Sequence, residues 1–309
     1  MAGLEAAMLY DIRQTTTYSY GAPVRAARQV MRMTPVDRGP HQHVIANMLD
    51  TRPAPSEAEH GTDFFGNAIC YVTFDTPHER LDITMRARIE VRGTVLPDAM
   101  TTPIVDLVRS AALTAFDLGP DSPVHGLFPT RSVPLDPAIT EWTAESCAAD
   151  RPILAAALDV MHRIKETFTY EPGATDVATL PAQAFAARAG VCQDFAHVMI
   201  AGLRGVGIPA RYVSGYLRTI PPPGQPRLAG ADATHAWVEV WCGVDLGWVG
   251  LDPTNAIPVG EDHIILAIGR DYSDVSPVDG VIVASGEHQL AVGVDVIPVE
   301  RPQAEAPAS

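Results

Sequence analysis

Between residues 83 and 91 the chain reads Ile83-Thr84-Met85-Arg86-Ala87-Arg88-Ile89-Glu90-Val91, apolar at each odd position and polar at each even one. A period of two marks a strand with one buried face. Residues 9–12, 29–33 and 68–74 are further strand candidates, with Pro, Gly and Asn in the gaps between them. Phe65-Gly66-Asn67 suits a tight turn ahead of one of these, because Gly and Asn tolerate positive φ. Residues 1–95 therefore predict an antiparallel β domain of sandwich type.

From 96 to 150 the periodicity fades, and prolines at 97, 103, 120, 123, 129, 134 and 137 predict a connecting segment with one or two short helices and a domain boundary inside it. Then the period lengthens. Leu154, Leu158, Met161, Ile164 and Phe168 recur at helical spacing, with Asp150 able to cap and Pro152 suited to a first turn. A second helix is expected from its cap Thr179 through Arg188, with Gly190 closing it as a left-handed C-cap. A third starts at Cys192, buries Phe195, Met199, Leu203 and Val206, and stops around Gly205, Gly207 and Pro209. Strand patterns follow at 210–217, 235–242, 247–251, 264–268, 281–284 and 289–298. Helices leading into an antiparallel sheet make residues 151–300 an α+β domain, and 301–309 read as a frayed, disordered tail.

Composition agrees with two globular domains: 309 residues, 47% of them hydrophobic. The net charge of −15 repels phosphate backbones and anionic lipid, so no nucleic acid and no membrane is expected as a partner. No run approaches the roughly 18 apolar residues of a membrane span, and the opening residues lack a basic region followed by an apolar core. Four cysteines, at 70, 147, 192 and 242, show no C-x-x-C spacing, so neither a zinc site nor a disulfide framework is expected. A cytoplasmic location fits best.

One thiol stands apart. In Gly190-Val191-Cys192-Gln193-Asp194-Phe195-Ala196 the cysteine opens an apolar helix, where the unpaired N–H groups and the dipole favour a thiolate. The backbone N–H of Cys192 is also placed to bond an oxyanion formed from an attacked carbonyl. His197 lies about 140° around the helix from Cys192 and cannot be its base. His235 opens a strand instead, and in a sheet packed on that helix it could face the thiol. Glu239, roughly 13 Å along the strand, and Asp194, about 200° around the helix, are badly placed to orient the imidazole. Asp252 ends the next strand, within reach of a hairpin, and Pro253 stops the ladder there. Trp237, Glu239 and Trp241 share the face of His235 and form either an aromatic wall of a substrate channel or core.

Spacing alone leaves a bland reading open. A cysteine at a helix start is more often a small buried hydrophobe, and a histidine on a strand a satisfied core residue. His41 and His43 share a strand face but have no evident third ligand, so no metal site is expected. Cys70, Cys147 and Cys242 read as structural. Residues 224–232, between two predicted strands, are either a flap over the cleft or an ordinary loop, and Asp232 at their end joins Trp237 as a cleft candidate.

Four linked motifs, in order, decide between these readings. The Cys192 stretch, Gly207-Ile208-Pro209-Ala210-Arg211-Tyr212-Val213-Ser214-Gly215-Tyr216, His235-Ala236-Trp237-Val238-Glu239-Val240 and Gly247-Trp248-Val249-Gly250-Leu251-Asp252-Pro253-Thr254-Asn255 resemble the bacterial transglutaminase-like superfamily. The resemblance assigns nucleophile to Cys192, general base and acid to His235, and orienting carboxylate to Asp252. It implies a papain-like core of helices packed on an antiparallel sheet. Tyr18-Ser19-Tyr20, Pro23-Val24, Met33-Thr34-Pro35 and Asp63-Phe64-Phe65-Gly66-Asn67 are similar to the β-rich N-terminal domain of the family's bacterial members, and Gly269-Arg270-Asp271-Tyr272-Ser273-Asp274-Val275-Ser276-Pro277 to its C-terminal signature. Gln14, where many members carry histidine, is a departure outside the catalytic domain. Members often supply a second oxyanion donor from upstream, which by analogy nominates Tyr170, with Gln183 and Gln193 behind it.

The expected activity is a cysteine-dependent amide-bond enzyme working through an acyl-enzyme thioester, a transglutaminase-like cysteine peptidase or amidase acting on a peptide or protein without a cofactor. The alternatives are a protein-glutamine γ-glutamyltransferase, an acyltransferase of the arylamine type, and a non-catalytic peptide-binding scaffold of the same fold.

Overall fold

The computed structural model of the chain describes residues 7–219 and 232–299. It begins with β1 (Met8–Val24), β2 (Ala26–Met31), β3 (Gln42–Arg52), β4 (Glu57–Thr62), β5 (Ala68–Phe74) and β6 (His78–Val91). Next come α1 (Val105–Leu113), α2 (Pro137–Ala144), α3 (Ile153–Thr167), the short β7 (Thr169–Tyr170), α4 (Pro181–Ala187), β8 (Ala189–Gly190) and α5 (Cys192–Gly205). β9 (Ala210–Leu217), β10 (Ala233–Trp241), β11 (Trp248–Asp252), β12 (Ile257–Pro258), β13 (His263–Gly269), α6 (Tyr272–Val275), β14 (Val278–Val283) and β15 (His288–Pro298) follow. The fold is α+β, as the sequence pattern indicates.

Two four-stranded antiparallel sheets, ordered β15-β1-β6-β3 and β14-β2-β5-β4, form the N-terminal part. Leu81 and Ile83 of β6 pack with Met31, Val72 and Phe74 of the other sheet, so the alternation seen in the sequence becomes one side of a core. β1 runs far beyond 9–12, because its Thr- and Tyr-rich continuation favours strand and is paired on both sides. β4 is exposed at every residue and so carries no alternation to read.

The last two strands correct the expected domain limits. β14 pairs with β2 and β15 with β1, so residues 278–298 complete the N-terminal sheets instead of the α+β domain expected over 151–300. Period-two patterning identifies a strand but not its partner. The connecting segment also belongs elsewhere than expected: Val105, Val108, Val133, Ile139 and Cys147 are buried in one core with α3, α5 and the third sheet. That sheet is antiparallel, ordered β12-β11-β10-β9-β13, with α5 packed on β9 and β10.

β13 ends the third sheet, and side chains of the N-terminal part take up its outer backbone. Gln42 donates to Ile265 O and accepts from Ile265 N–H, both at 2.8 Å; Asn67 does the same with Ile268, also at 2.8 Å. Each amide thus does the work of a neighbouring strand. Gln14 is buried in this seam, where it accepts the Tyr216 hydroxyl at 2.6 Å.

Candidate active site

Cys192 is the first residue of α5, and the chain before it is held from both sides. Thr169 N–H donates to Arg188 O at 2.8 Å and Glu171 N–H to Gly190 O at 2.9 Å, so the β7–β8 ladder sets Tyr170 opposite Gly190. The left-handed C-cap of α4 is Arg188, at φ 53°, and Gly190 serves a different need. A Cβ there would lie 2.6 Å from Asp194 Oδ2. That oxygen accepts from Val191 N–H at 2.8 Å and Thr175 Oγ1 at 2.6 Å, capping the helix that presents the half-buried thiol.

The β10–β11 register pairs Val238 with Leu251, which places Asp252 diagonal to His235. His235 Nε2 donates to Asp252 Oδ2 at 2.8 Å. With Nε2 committed, Nδ1 is the nitrogen left to face the Cys192 sulfur, whose influence reaches this ring. Asp252 has no solvent exposure. Its Oδ1 accepts from the N–H groups of Thr254 at 2.9 Å and Asn255 at 3.2 Å, and its Oδ2 also from Asn255 Nδ2 at 2.7 Å. Burial would favour the protonated acid, but the hydrogen bonds, led by that from His235, outweigh it and hold the carboxyl well below the usual carboxylate range. Burial likewise opposes charge on His235, yet its bond to Asp252 and the influence of Cys192 push the imidazole up to about 10. The arrangement stabilises an imidazolium between a carboxylate and a sulfur.

Tyr170 is half exposed, opposite Gly190 and so on the approach to the thiol: partial burial, with a smaller contribution from the charge of Cys192, pushes its hydroxyl up. Other expectations fare differently. Gln193 Nε2 donates to Val177 O at 3.2 Å, and Gln183 Oε1 accepts from Leu180 N–H at 2.9 Å, so both amides are engaged in local structure. Trp237 does not line a cleft. It is fully buried against Val213, Ile265 and Ile268, its ring occupying the space a side chain at Gly215 would fill. Asp232 is buried too, accepting from Thr219 N–H at 2.8 Å and Val296 N–H at 2.6 Å, so it ties the chain to β15. Residues 224–231 of the proposed flap lie outside the described residues. His197 faces away, its Nε2 accepting from Tyr272 N–H at 3.2 Å, and Glu239 pairs with Arg211 at 2.6 Å. His41 and His43 do not converge: the first reaches His263 O at 3.4 Å, the second Asp37 at 3.3 Å.

Sequence reasoning passed over His263. It opens β13, is 1% exposed, and its Nε2 lies 3.4 Å from Asp252 Oδ2. The available signal was a single imidazole opening a run, His263-Ile264-Ile265-Leu266-Ala267-Ile268, otherwise wholly apolar: a buried polar group needs a partner. His235, Asp252 and His263 present ligand atoms within 4.8 Å of one another, a set that could hold a metal ion despite the expectation of none. Here Asp252 Oδ2 is already the acceptor of N–H groups from His235 and Asn255, so the set is complete as a hydrogen-bond network.

Residues 10–90 match the model of the bacterial transglutaminase-like N-terminal region, and residues 140–253 that of the transglutaminase-like superfamily. An uncharacterized protein of Mycobacterium tuberculosis is 36% identical over 302 residues, covering 94% of this chain and 90% of that protein. The chain belongs to the bacterial transglutaminase-like superfamily. A Cytophaga hutchinsonii protein solved as a candidate cysteine protease shares the fold, with a TM-score of 0.76 at 21% identity over 98% of this chain and 94% of that one. The protein-glutamine γ-glutamyltransferase of Pseudomonas aeruginosa is 32% identical over 136 residues, 44% of this chain and 19% of that enzyme. The match to the transglutaminase-like core contains Cys192, His235 and Asp252 and stops short of His263. Membership supports cysteine-dependent enzyme chemistry in general. No helix among the described residues is long and apolar enough to cross a membrane.

Proposed function

We propose that this chain is a cysteine-dependent amide-bond enzyme, with Cys192 as nucleophile, His235 as general base and acid, and Asp252 as the carboxylate that orients the imidazole. One observation carries the reading: a half-buried thiol at a helix N-terminus meets an imidazole whose far nitrogen is bound at 2.8 Å to a fully buried carboxylate. The sulfur attacks the carbonyl carbon of a peptide or protein amide, and the charge moves to the oxygen, towards the Cys192 N–H and the Tyr170 hydroxyl. Collapse breaks the C–N bond. His235 gives its proton to the departing amine, leaving a thioester on Cys192; it then takes a proton from the water or amine that releases the acyl group. These steps need no cofactor.

Water as acceptor gives a transglutaminase-like cysteine peptidase or amidase, the reading we favour. Similarity to the Pseudomonas γ-glutamyltransferase supports the second, transfer to an amine. Cys70, Cys147 and Cys242 are free, and burial pushes their thiols up, which suits a reducing cytoplasm. Mass spectrometry of the protein incubated with a peptide library, with and without added amine, tests the proposal. Cleaved or deamidated peptides and an acyl adduct on Cys192 are expected. Products carrying the amine would select transfer, while unchanged peptides with an unmodified Cys192 would leave a binding scaffold.

A further inference from the structure

We infer that His263 is a positioning residue of the reaction centre, acting through Asp252, and that the N-terminal sheets hold it in place through the outer edge of β13. This rests on the triad reading above. Gly260 N–H donates to His263 Nδ1 at 3.3 Å, so Nδ1 is the unprotonated acceptor and Nε2 carries the hydrogen. The hydrogen on Nε2 has one carboxylate in front of it, Asp252 Oδ2 at 3.4 Å. Two imidazoles therefore approach a single oxygen from β10 and β13, the strands on either side of β9. Trp237 stands edge-on to His263 at 5.3 Å and tilted over His235 at 6.2 Å, fixing both ring planes from one side.

The backbone that carries His263 is set from outside its own domain. His41 Nε2 lies 3.4 Å from His263 O, Gln42 makes two bonds to Ile265, and Asn67 makes two to Ile268. A buried imidazole is costly unless its N–H is used. Here it supplies a donor to a carboxylate that burial would otherwise neutralise. The titratable groups around the pair are His235 on β10 and His41 beside β3, with Asn255 the neutral donor on the turn after β11.

Two substitutions separate positioning from mere support. In His263→Asn the short amide can still accept from Gly260 N–H but cannot reach Asp252; in His263→Gln the longer amide can reach Asp252 and loses Gly260. The rate of Cys192 alkylation by iodoacetamide, followed by peptide mass spectrometry from pH 4 to 10, reads the sulfur–imidazole pair without needing the natural substrate. We expect the acid limb of His263→Asn to move up by about one pH unit, roughly a tenfold loss of rate on that limb, and His263→Gln to stay near wild type. Wild-type-like profiles in both variants, or a loss in Gln alone, would overturn the inference. Should either variant fail to fold, ¹⁵N NMR of the native imidazoles decides: His263 protonated at Nδ1 and bare at Nε2 would sink it. A wild-type Cys192 that alkylates no faster than in urea would remove the triad reading, and this inference with it.

Discussion

Two buried histidines of the same domain end up on opposite sides of neutrality. His197, inside α5, is 2% exposed, and His235, at the start of the site, is 8% exposed. Burial opposes charge on both. His197 accepts a backbone N–H and, among the described residues, bonds no carboxylate, so burial prevails over the nearby charge of Asp271 and its imidazole is pushed down to about 4. His235 bonds Asp252 and feels Cys192, and these two influences prevail instead, lifting it to about 10. Equal concealment with different partners gives one ring that packs and one that can carry a proton.

The sharpest way to break this contrast is to remove the anion. In Asp252→Asn the NH₂ group cannot sit at Oδ1, where two backbone N–H groups point, so it must face His235, His263 and Asn255. His235 would then have to accept at Nε2 and carry its hydrogen on Nδ1, towards the sulfur. That tautomer cannot act as base, and turnover should fall by about 10⁴-fold. Near-normal turnover of a folded Asp252→Asn protein would take Asp252 out of the mechanism.

The other histidine is tested through stability. Its folded pKa lies below its unfolded value near 6.5, so its contribution is present above pH 6.5 and is lost as pH falls towards 4. The loss should reach about 3 kcal/mol. His235 has the opposite sign: its contribution is present below 6.5 and drains away as pH rises towards 10. Urea midpoints between pH 7 and 4.5 should drop less steeply in His197→Gln, which can accept from Tyr272 N–H without titrating. Parallel slopes in the two proteins would mean that His197 is charged when folded.

The same contrast marks what a sequence discloses. Cys192 opens its helix, Asp252 closes its strand and His235 stands near the start of another, all in elements whose period is clear, so residue type and position together suggested the site. Contacts made across the chain left less trace. The outward pairing of β14 and β15 depends on partners at the far end of the chain, Val278 with Met31 and Pro298 with Tyr10, and the fully exposed β4 has no pattern at all. Trp237 shares the parity of His235, but parity does not say whether a face meets solvent or another wall of core. His263 lay one residue ahead of the strand expected over 264–268, and nothing in its spacing tied it to Asp252, because the link runs through the sheet.

Tyr170 gives the smallest and most discriminating test. Its side chain is half exposed, so removing the hydroxyl should leave stability within about 0.5 kcal/mol. Its backbone is set opposite Gly190, two residues ahead of the nucleophile, and that ladder does not depend on the hydroxyl. Any change in Tyr170→Phe therefore reports on chemistry. A hydroxyl that donates to the oxyanion should cost on the order of 10²-fold in kcat when lost, with KM little changed, since the bond strengthens as charge develops on the oxygen. If KM rises while kcat holds, Tyr170 binds substrate evenly in ground and transition states and the oxyanion must find its second donor elsewhere. A loss under threefold in both returns the ring to its edge-on contact with Phe195, 6.4 Å away, as packing alone.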